Sequence, residues 1–371
     1  MKPVCNSVSV CVPATSANLG SGFDVAGIAL DYADSLVFTL DDSLDDSLDD
    51  SQDVRVIIHG EGEDSLPKDE THLVVRAFRK ACEAFGLPRL RFTLEAHNRI
   101  PQARGMGSSA SAIVSGVAAA WAFAHNGNLN KQAIFELAAA IEGHPDNVAP
   151  AVFGGLTTSW KNGSEFHTVR YSVSNQIRAT IFVPNFTLST QMARQALPEK
   201  VPYADAVFNV SRACLLPIAF GDFGDFSAFA DSCDSADFAD SADSCDSCAK
   251  TTLSRNDLLF TATQDAIHQP YRASLMQPTW DLVKALRDAG FAAAISGAGS
   301  CAAVFYEEKS QATEEANNAT NISEKIESAE IESAETVAGK IEKIAEPLLS
   351  GCDWKILHVK IDSHGVTASR A

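Results

Sequence analysis

The sequence predicts an α+β protein built on two separate sheets. Strand-like runs cluster in each half of the chain with helical runs after them, where a single parallel sheet would need one-for-one alternation. The 371 residues are 46% hydrophobic and 21% charged, enough apolar mass for one large or two ordinary domains. That composition excludes a disordered chain, a coiled coil and a disulfide-stapled miniprotein. The formal net charge of −19 sits in three tracts: 41–53 has seven acids and no base, 221–250 eight acids and one Lys, 311–346 nine Glu and three Lys. The remaining residues are close to neutral. No basic surface for nucleic acid is expected, and the tracts would be repelled by an anionic membrane.

In chain order, VSVCVPA, SLVFTL, VRVIIHG and LRFTLEA read as strands from their apolar alternation and β-branched residues. Residues 72–85 read as a helix closed by Gly86-Leu87-Pro88, and 108–124 and 131–142 as two more. ATIFVPN, AAISGAGSCAAVFY and KILHVKID carry the strand patterns of the second half. Residues 105–130 contain no Asp, Glu, Lys or Arg, yet Gly105, Gly107, Ser108, Ser109, Ser111 and Ser115 crowd their first half. Ile113, Val117, Ala118 and Trp121 then recur at helical spacing, so a buried helix is expected and not a membrane span. The start of the chain has no long apolar run of secretory type, and the nine cysteines are scattered and odd in number. Both features predict a reducing, cytoplasmic location. Within the acidic tracts, 41–53 and 227–248 are expected as mobile loops, and 324–335, which repeats IESAE, as a helix extension. Cys245 and Cys248 form a CxxC with Cys233 upstream and no His nearby, which reads as repeat drift and not a metal site.

Four short segments carry candidate chemistry. The run Pro101, Gln102, Ala103, Arg104, Gly105, Met106, Gly107, Ser108, Ser109, Ala110, Ser111, Ala112 places two glycines and two serines at the start of an apolar helix. Glycines allow left-handed backbone close to a ligand, and the exposed N–H groups and dipole of a helix start favour phosphate. Ser108 or Ser109 could cap the helix, and a serine hydroxyl there could reach a phosphate-bound Mg²⁺. The absence of GK[ST] excludes a Walker A loop. Upstream, PATSANLGSGFD follows a strand and offers Asn18 and Asp24, able to bind an ammonium or hydroxyl or merely to shape a turn. Glu142-Gly143-His144-Pro145-Asp146-Asn147 ends the helix 131–142 with polar groups in a tight turn. On that helix Ile134, Leu137, Ala138 and Ile141 form the core stripe, and spacing alone leaves Glu136 solvated. Ser296-Gly297-Ala298-Gly299-Ser300 follows a strand and reads equally as a tight turn or a ligand loop.

Taken together these segments resemble the GHMP small-molecule kinases. PQARGMGSSASA is similar to that family's phosphate loop with Met106 in place of Leu, and SGAGS to its C-terminal glycine motif. PATSANLGSGFDVAGIAL and HPDNVAPAVFGG resemble the homoserine kinase branch in particular, with Ser21 where Pro is usual; VPNFTLSTQMARQALP and HQPYRASLM continue the resemblance. The resemblance implies a two-domain GHMP kinase fold. A ribosomal protein S5 domain 2-like N-terminal domain would span 1–170 and a ferredoxin-like C-terminal domain 171–371. It implies ATP held by 101–112 and Mg²⁺ held by Ser108 and Glu136. It implies substrate contacts from Asn18, Asp24, His144, Asn147, Thr190, Arg194 and Arg272, with Asn147 and Arg194 catalytic. The implied reaction is ATP-dependent phosphorylation of the L-homoserine hydroxyl, in threonine biosynthesis, with dimerisation expected from the family alone. Two arginines suit an α-carboxylate and Asp24 an α-ammonium. Asp146 is left out as a base. The rival readings are a GHMP kinase for mevalonate or a sugar, and a non-catalytic member that only binds a metabolite.

Overall fold

The computed structural model describes residues 1–41, 53–222, 253–308 and 336–371. The mobile-loop, helix-extension and CxxC readings therefore fall largely outside the described residues. β1 (Ser7–Asn18) and β2 (Gly22–Leu40) form a long hairpin, followed by β3 (Val54–Gly60), α1 (Leu73–Ala84), β4 (Phe92–Asn98), α2 (Ser108–Ala124), α3 (Lys131–Glu142), α4 (Val148–Phe153), β5 (Leu156–Asn162) and β6 (Glu165–Tyr171). The second half runs β7 (Ile177–Pro184), α5 (Thr190–Gln195), α6 (Tyr203–Ala213), α7 (Leu216–Phe220), α8 (Arg255–Ala262), α9 (Gln269–Arg272), α10 (Gln277–Asp288), β8 (Ala292–Ile295), β9 (Ala302–Glu307), α11 (Val337–Ala345), β10 (Trp354–Lys360) and β11 (Thr367–Arg370).

Two sheets form, as expected. The first has the order β11-β1-β2-β4-β3, with β5 also paired to β2 and β6 to β5. The second has the antiparallel order β10-β7-β9-β8, which, counted within the sheet, is fourth-first-third-second, the ferredoxin-like arrangement. One expectation needs correction. The last strand, β11, returns to pair with β1 (Val8 opposite Arg370), so the first domain is not contiguous and a cut at residue 170 misassigns the C-terminus.

β1 explains how the halves meet. Its first part alternates, and Val8, Val10 and Val12 face the core under α1–α4; its second part is buried throughout, with Ala14 in a core shared with the second sheet. The register shifts between Pro13 and Ala14, where the strand bends from one core to the other. α2 is buried on nearly every side between α1, α3 and β1, which accounts for its lack of charge. Among the described residues no helix is long and apolar enough to cross a membrane.

Candidate active site

α2 begins at a cleft of about 410 Å³ lined by residues of both halves. Gly107 occupies its N-cap position in left-handed backbone (φ 71°), without a side-chain cap. Neither Ser108 nor Ser109 caps the helix, so its first N–H groups are free of a side-chain cap and could accept an anion. Gly105 and Gly107 are there because nothing larger fits. A Cβ on Gly105 would lie 2.0 Å from the Ser296 carbonyl oxygen, and one on Gly107 2.0 Å from Thr15 Oγ1. The 296–300 turn clasps the loop from the other half: Ser296 Oγ donates to Gly105 O (2.7 Å), and Cys301 N to Arg104 O (3.0 Å).

Of the loop residues, Gln102, Ala103, Gly105, Gly107, Ser108, Ser109, Ala110 and Ala112 line the cleft. The other four support it. Pro101 and Met106 are buried, and Ser111 Oγ donates to Asp34 Oδ2 (3.2 Å). Arg104 reaches the second half, where Nε donates to Pro184 O (2.8 Å) and Nη2 to Asn185 O (3.1 Å). Asp34, which sequence reasoning passed over, is 5% exposed and also accepts from the N–H groups of Arg99 (2.7 Å) and Ile100 (2.9 Å). It ties β2, the root of the loop and α2 together. Burial pushes its carboxyl above the ordinary range, against those three hydrogen bonds.

The acid that lines the cleft at the start of α2 is Glu142, while Glu136 lies outside it. Glu136 is exposed on α3, accepts from Gln132 Nε2 (2.9 Å) and does not line the cleft. α3 turns Ile134, Phe135, Ala138 and Ala139 to the core, and only its C-terminal end reaches the site. That end carries Glu142, whose Oε2 accepts from Ser109 Oγ (2.8 Å). Burial raises the Glu142 carboxyl above its ordinary value, partly offset by His144 and by the Ser109 hydrogen bond. A hydroxyl and a desolvated carboxylate beside an anion-accepting helix start fit a divalent cation, which takes hard oxygen donors.

Asn18, Asp24, His144, Asn147, Thr190, Arg194 and Arg272 all line the same cleft. Asp24 and Arg194 meet in a two-pronged pair, Nη1–Oδ2 2.9 Å and Nη2–Oδ1 3.0 Å. Asn18 Oδ1 accepts from Asp24 N (2.9 Å) and Nδ2 donates to Gly297 O (2.7 Å), fixing the turn that presents Asp24. Arg272 is 2% exposed; Nε donates to Ala193 O (3.1 Å), and the guanidinium lies over Phe23, 5.1 Å from its centroid. Beneath it His268 Nε2 donates to Gly20 O (2.7 Å), and its Nδ1 accepts from Arg272 Nη1 (3.3 Å), the neutral tautomer that burial favours. Asp146 Oδ1 accepts from His144 Nδ1 (2.9 Å) and Asn147 N (3.0 Å). That hydrogen bond raises the His144 pKa above its ordinary value, against the effect of burial. Thr15 Oγ1 donates to Asn147 Oδ1 (2.8 Å), which places Asn147 beside Gly107, between the phosphate loop and the charged cluster.

Comparison with known proteins bears on this site. Residues 72–155 match the GHMP kinases N terminal domain and 249–323 the GHMP kinases C terminal domain. A homoserine kinase of Clavibacter michiganensis subsp. michiganensis is 41% identical over 293 residues, covering 79% of this chain and 80% of that protein. The chain belongs to the homoserine kinase branch of the GHMP kinases. A second relative, the Cutibacterium acnes homoserine kinase, is 41% identical over 297 residues, covering 79% of this GHMP kinase and 87% of the relative. The fold is shared with homoserine kinase from Cytophaga hutchinsonii (TM-score 0.70, 22% identity, 100% and 99% of the two chains). It is shared also with L. major mevalonate kinase (TM-score 0.60, 12% identity, 98% and 99% of the two chains). The GHMP kinase fold thus holds the 101–112 loop and the charged cluster in one cavity.

Proposed function

We propose that this cleft binds ATP and L-homoserine together and transfers the γ-phosphoryl group to the side-chain hydroxyl, giving O-phospho-L-homoserine and ADP for threonine biosynthesis. The observation that carries the reading is one cavity with two unlike ends. An uncapped helix start with small residues lies at one end, and Asp24, Arg194 and Arg272 at the other. The second end matches a zwitterion: carboxylate to the arginines, ammonium to Asp24. Mevalonate has a carboxylate but no ammonium, and would leave Asp24 without a ligand partner. A cytoplasmic location goes with this reading.

Ser109 and Glu142 would hold Mg²⁺, with Ser108 at the phosphates; when bound, the ion supplies neutralisation of phosphate charge. The nucleobase would take the apolar end lined by Leu66, Pro67, Leu73 and Val74. His72 lies there, buried, and among the described residues its Nδ1 has no hydrogen-bond partner, which a base edge could supply. Asp146 is committed to His144 and Asn147, so it acts by positioning. Asn147 orients the acceptor hydroxyl, Arg194 balances charge at the transfer, and the remaining acceleration comes from alignment and preorganised donors. Coupled ADP release with L-homoserine, mevalonate and galactose tests the reading. Homoserine should be turned over far faster than the other two, and equal turnover of mevalonate would sink it.

A further inference from the structure

On the outer face of the first sheet, away from the cleft, two histidines and a glutamate converge. Glu95 and His97 are alternate residues of β4, so both project from the same face; His59 on the parallel edge strand β3 is the register partner of His97. The two imidazoles stack with centroids 4.7 Å apart. Glu95 Oε1 lies 3.4 Å from His59 Nε2 and 3.2 Å from His97 Nε2, and one ligand atom from each residue falls within 4.8 Å of the other two.

We propose that His59, Glu95 and His97 form a binding site for a borderline divalent transition-metal ion of the Zn²⁺ class. The donor set is nitrogen, nitrogen and carboxylate oxygen, the chemistry such ions select over Mg²⁺. The spacing fits as well. Metal–ligand bonds of roughly 2.0–2.1 Å set the edge of a tetrahedron at about 3.3 Å, close to both observed nitrogen–oxygen distances. A fourth position stays open to water. The ion would bridge β3 to β4, cross-linking the edge strand of the sheet, β3, to its neighbour. It is a separate site from the oxygen-lined end of the cleft and does not depend on the reaction proposed above.

The test uses the full chain in Mg²⁺-free buffer with Co²⁺ and Zn²⁺ alone as probes. Because the chain has nine cysteines, Co²⁺ spectra are needed to separate this site from thiolates. Visible d–d bands without a sulfur-to-cobalt charge-transfer band are expected, lost in His59→Ala and in His97→Ala. Zn²⁺ affinity should fall by about 10-fold or more in each variant. At a large excess over Kd, Zn²⁺ should raise the Tm of the wild type by a few degrees and leave His97→Ala unmoved. Glu95→Gln, which keeps the shape of the patch, should weaken Zn²⁺ binding while preserving the metal-free Tm. Unchanged Zn²⁺ affinity in both histidine variants, a spectrum dominated by sulfur, or no bound metal in the wild type would each overturn the proposal.

Discussion

The two ends of the cleft are built in opposite ways. The end proposed for phosphate is nearly all one segment: backbone from 103 to 110, two glycines in left-handed conformation, and one helix start. The end proposed for the substrate has no such segment. Its Asp24–Arg194 pair joins residues 170 apart in sequence, and Arg272 comes from a third stretch. On that proposal one end would recognise charge with backbone dipoles that cannot move, the other with side chains that already pair with each other. Ligand affinity at the first should therefore depend on shape, and at the second on exchange of one ion pair for another.

The largest test of that contrast is at the phosphate end. Glu142→Ala should lower kcat on the order of 100- to 1000-fold, the usual loss for one preorganised charge group, while Glu136→Ala stays near wild type. Steady-state assays of both variants decide it, and the reverse order would return the metal role to Glu136. At the substrate end, Arg272→Ala should raise KM for homoserine roughly 30- to 1000-fold with little change for ATP. Arg272 also holds Ala193 O, so Arg272→Lys serves as a better-folding companion; retaining charge without the planar fork, it should recover only part of the affinity. A rise in the ATP KM alone would remove Arg272 from the carboxylate.

His72→Ala should raise KM for ATP by about 5- to 10-fold, the scale of one hydrogen bond, and spare homoserine. Nucleotide titrations read that out, and a selective effect on homoserine would place the nucleobase elsewhere. The smallest effect is on stability against pH. Because the folded-state pKa of His144 is raised, its contribution is complete below its unfolded value of 6.5 and fades as pH rises through the folded value. The Tm advantage of the wild type over His144→Gln should thus shrink as pH rises through the range above 6.5. A difference that is flat across that range would mean Asp146 does not hold a protonated imidazole.

Much of the fold could be read locally. The spans 54–60, 108–124 and 131–142 coincide with β3, α2 and α3, because strand alternation and 3.6-residue periodicity are properties of neighbours in sequence. The first part of β2, Gly22–Asp34, was missed: it is buried on consecutive residues at the junction of two cores and shows little alternation. The β5–β6 hairpin was missed for the opposite reason, since β6 has no buried residue and carries no apolar stripe. In the site, no local pattern singles out Asp34. Its three hydrogen bonds come from residues 65 to 77 positions later.

From contiguous residues alone came the glycine-serine loop 101–112, the uncharged helix behind it, the confinement of negative charge to three tracts and the family, because each rests on neighbours in sequence and short-range backbone sterics. Tertiary structure alone decided which glutamate and which serine meet at the loop, that the 296–300 turn clasps Gly105, that Asp24 and Arg194 pair, and that β11 returns to the first sheet. Those outcomes turn on helix rotation and strand register: Glu136 and Glu142 share one helix, yet only its end reaches the cleft, and no local pattern records which residue that end will present.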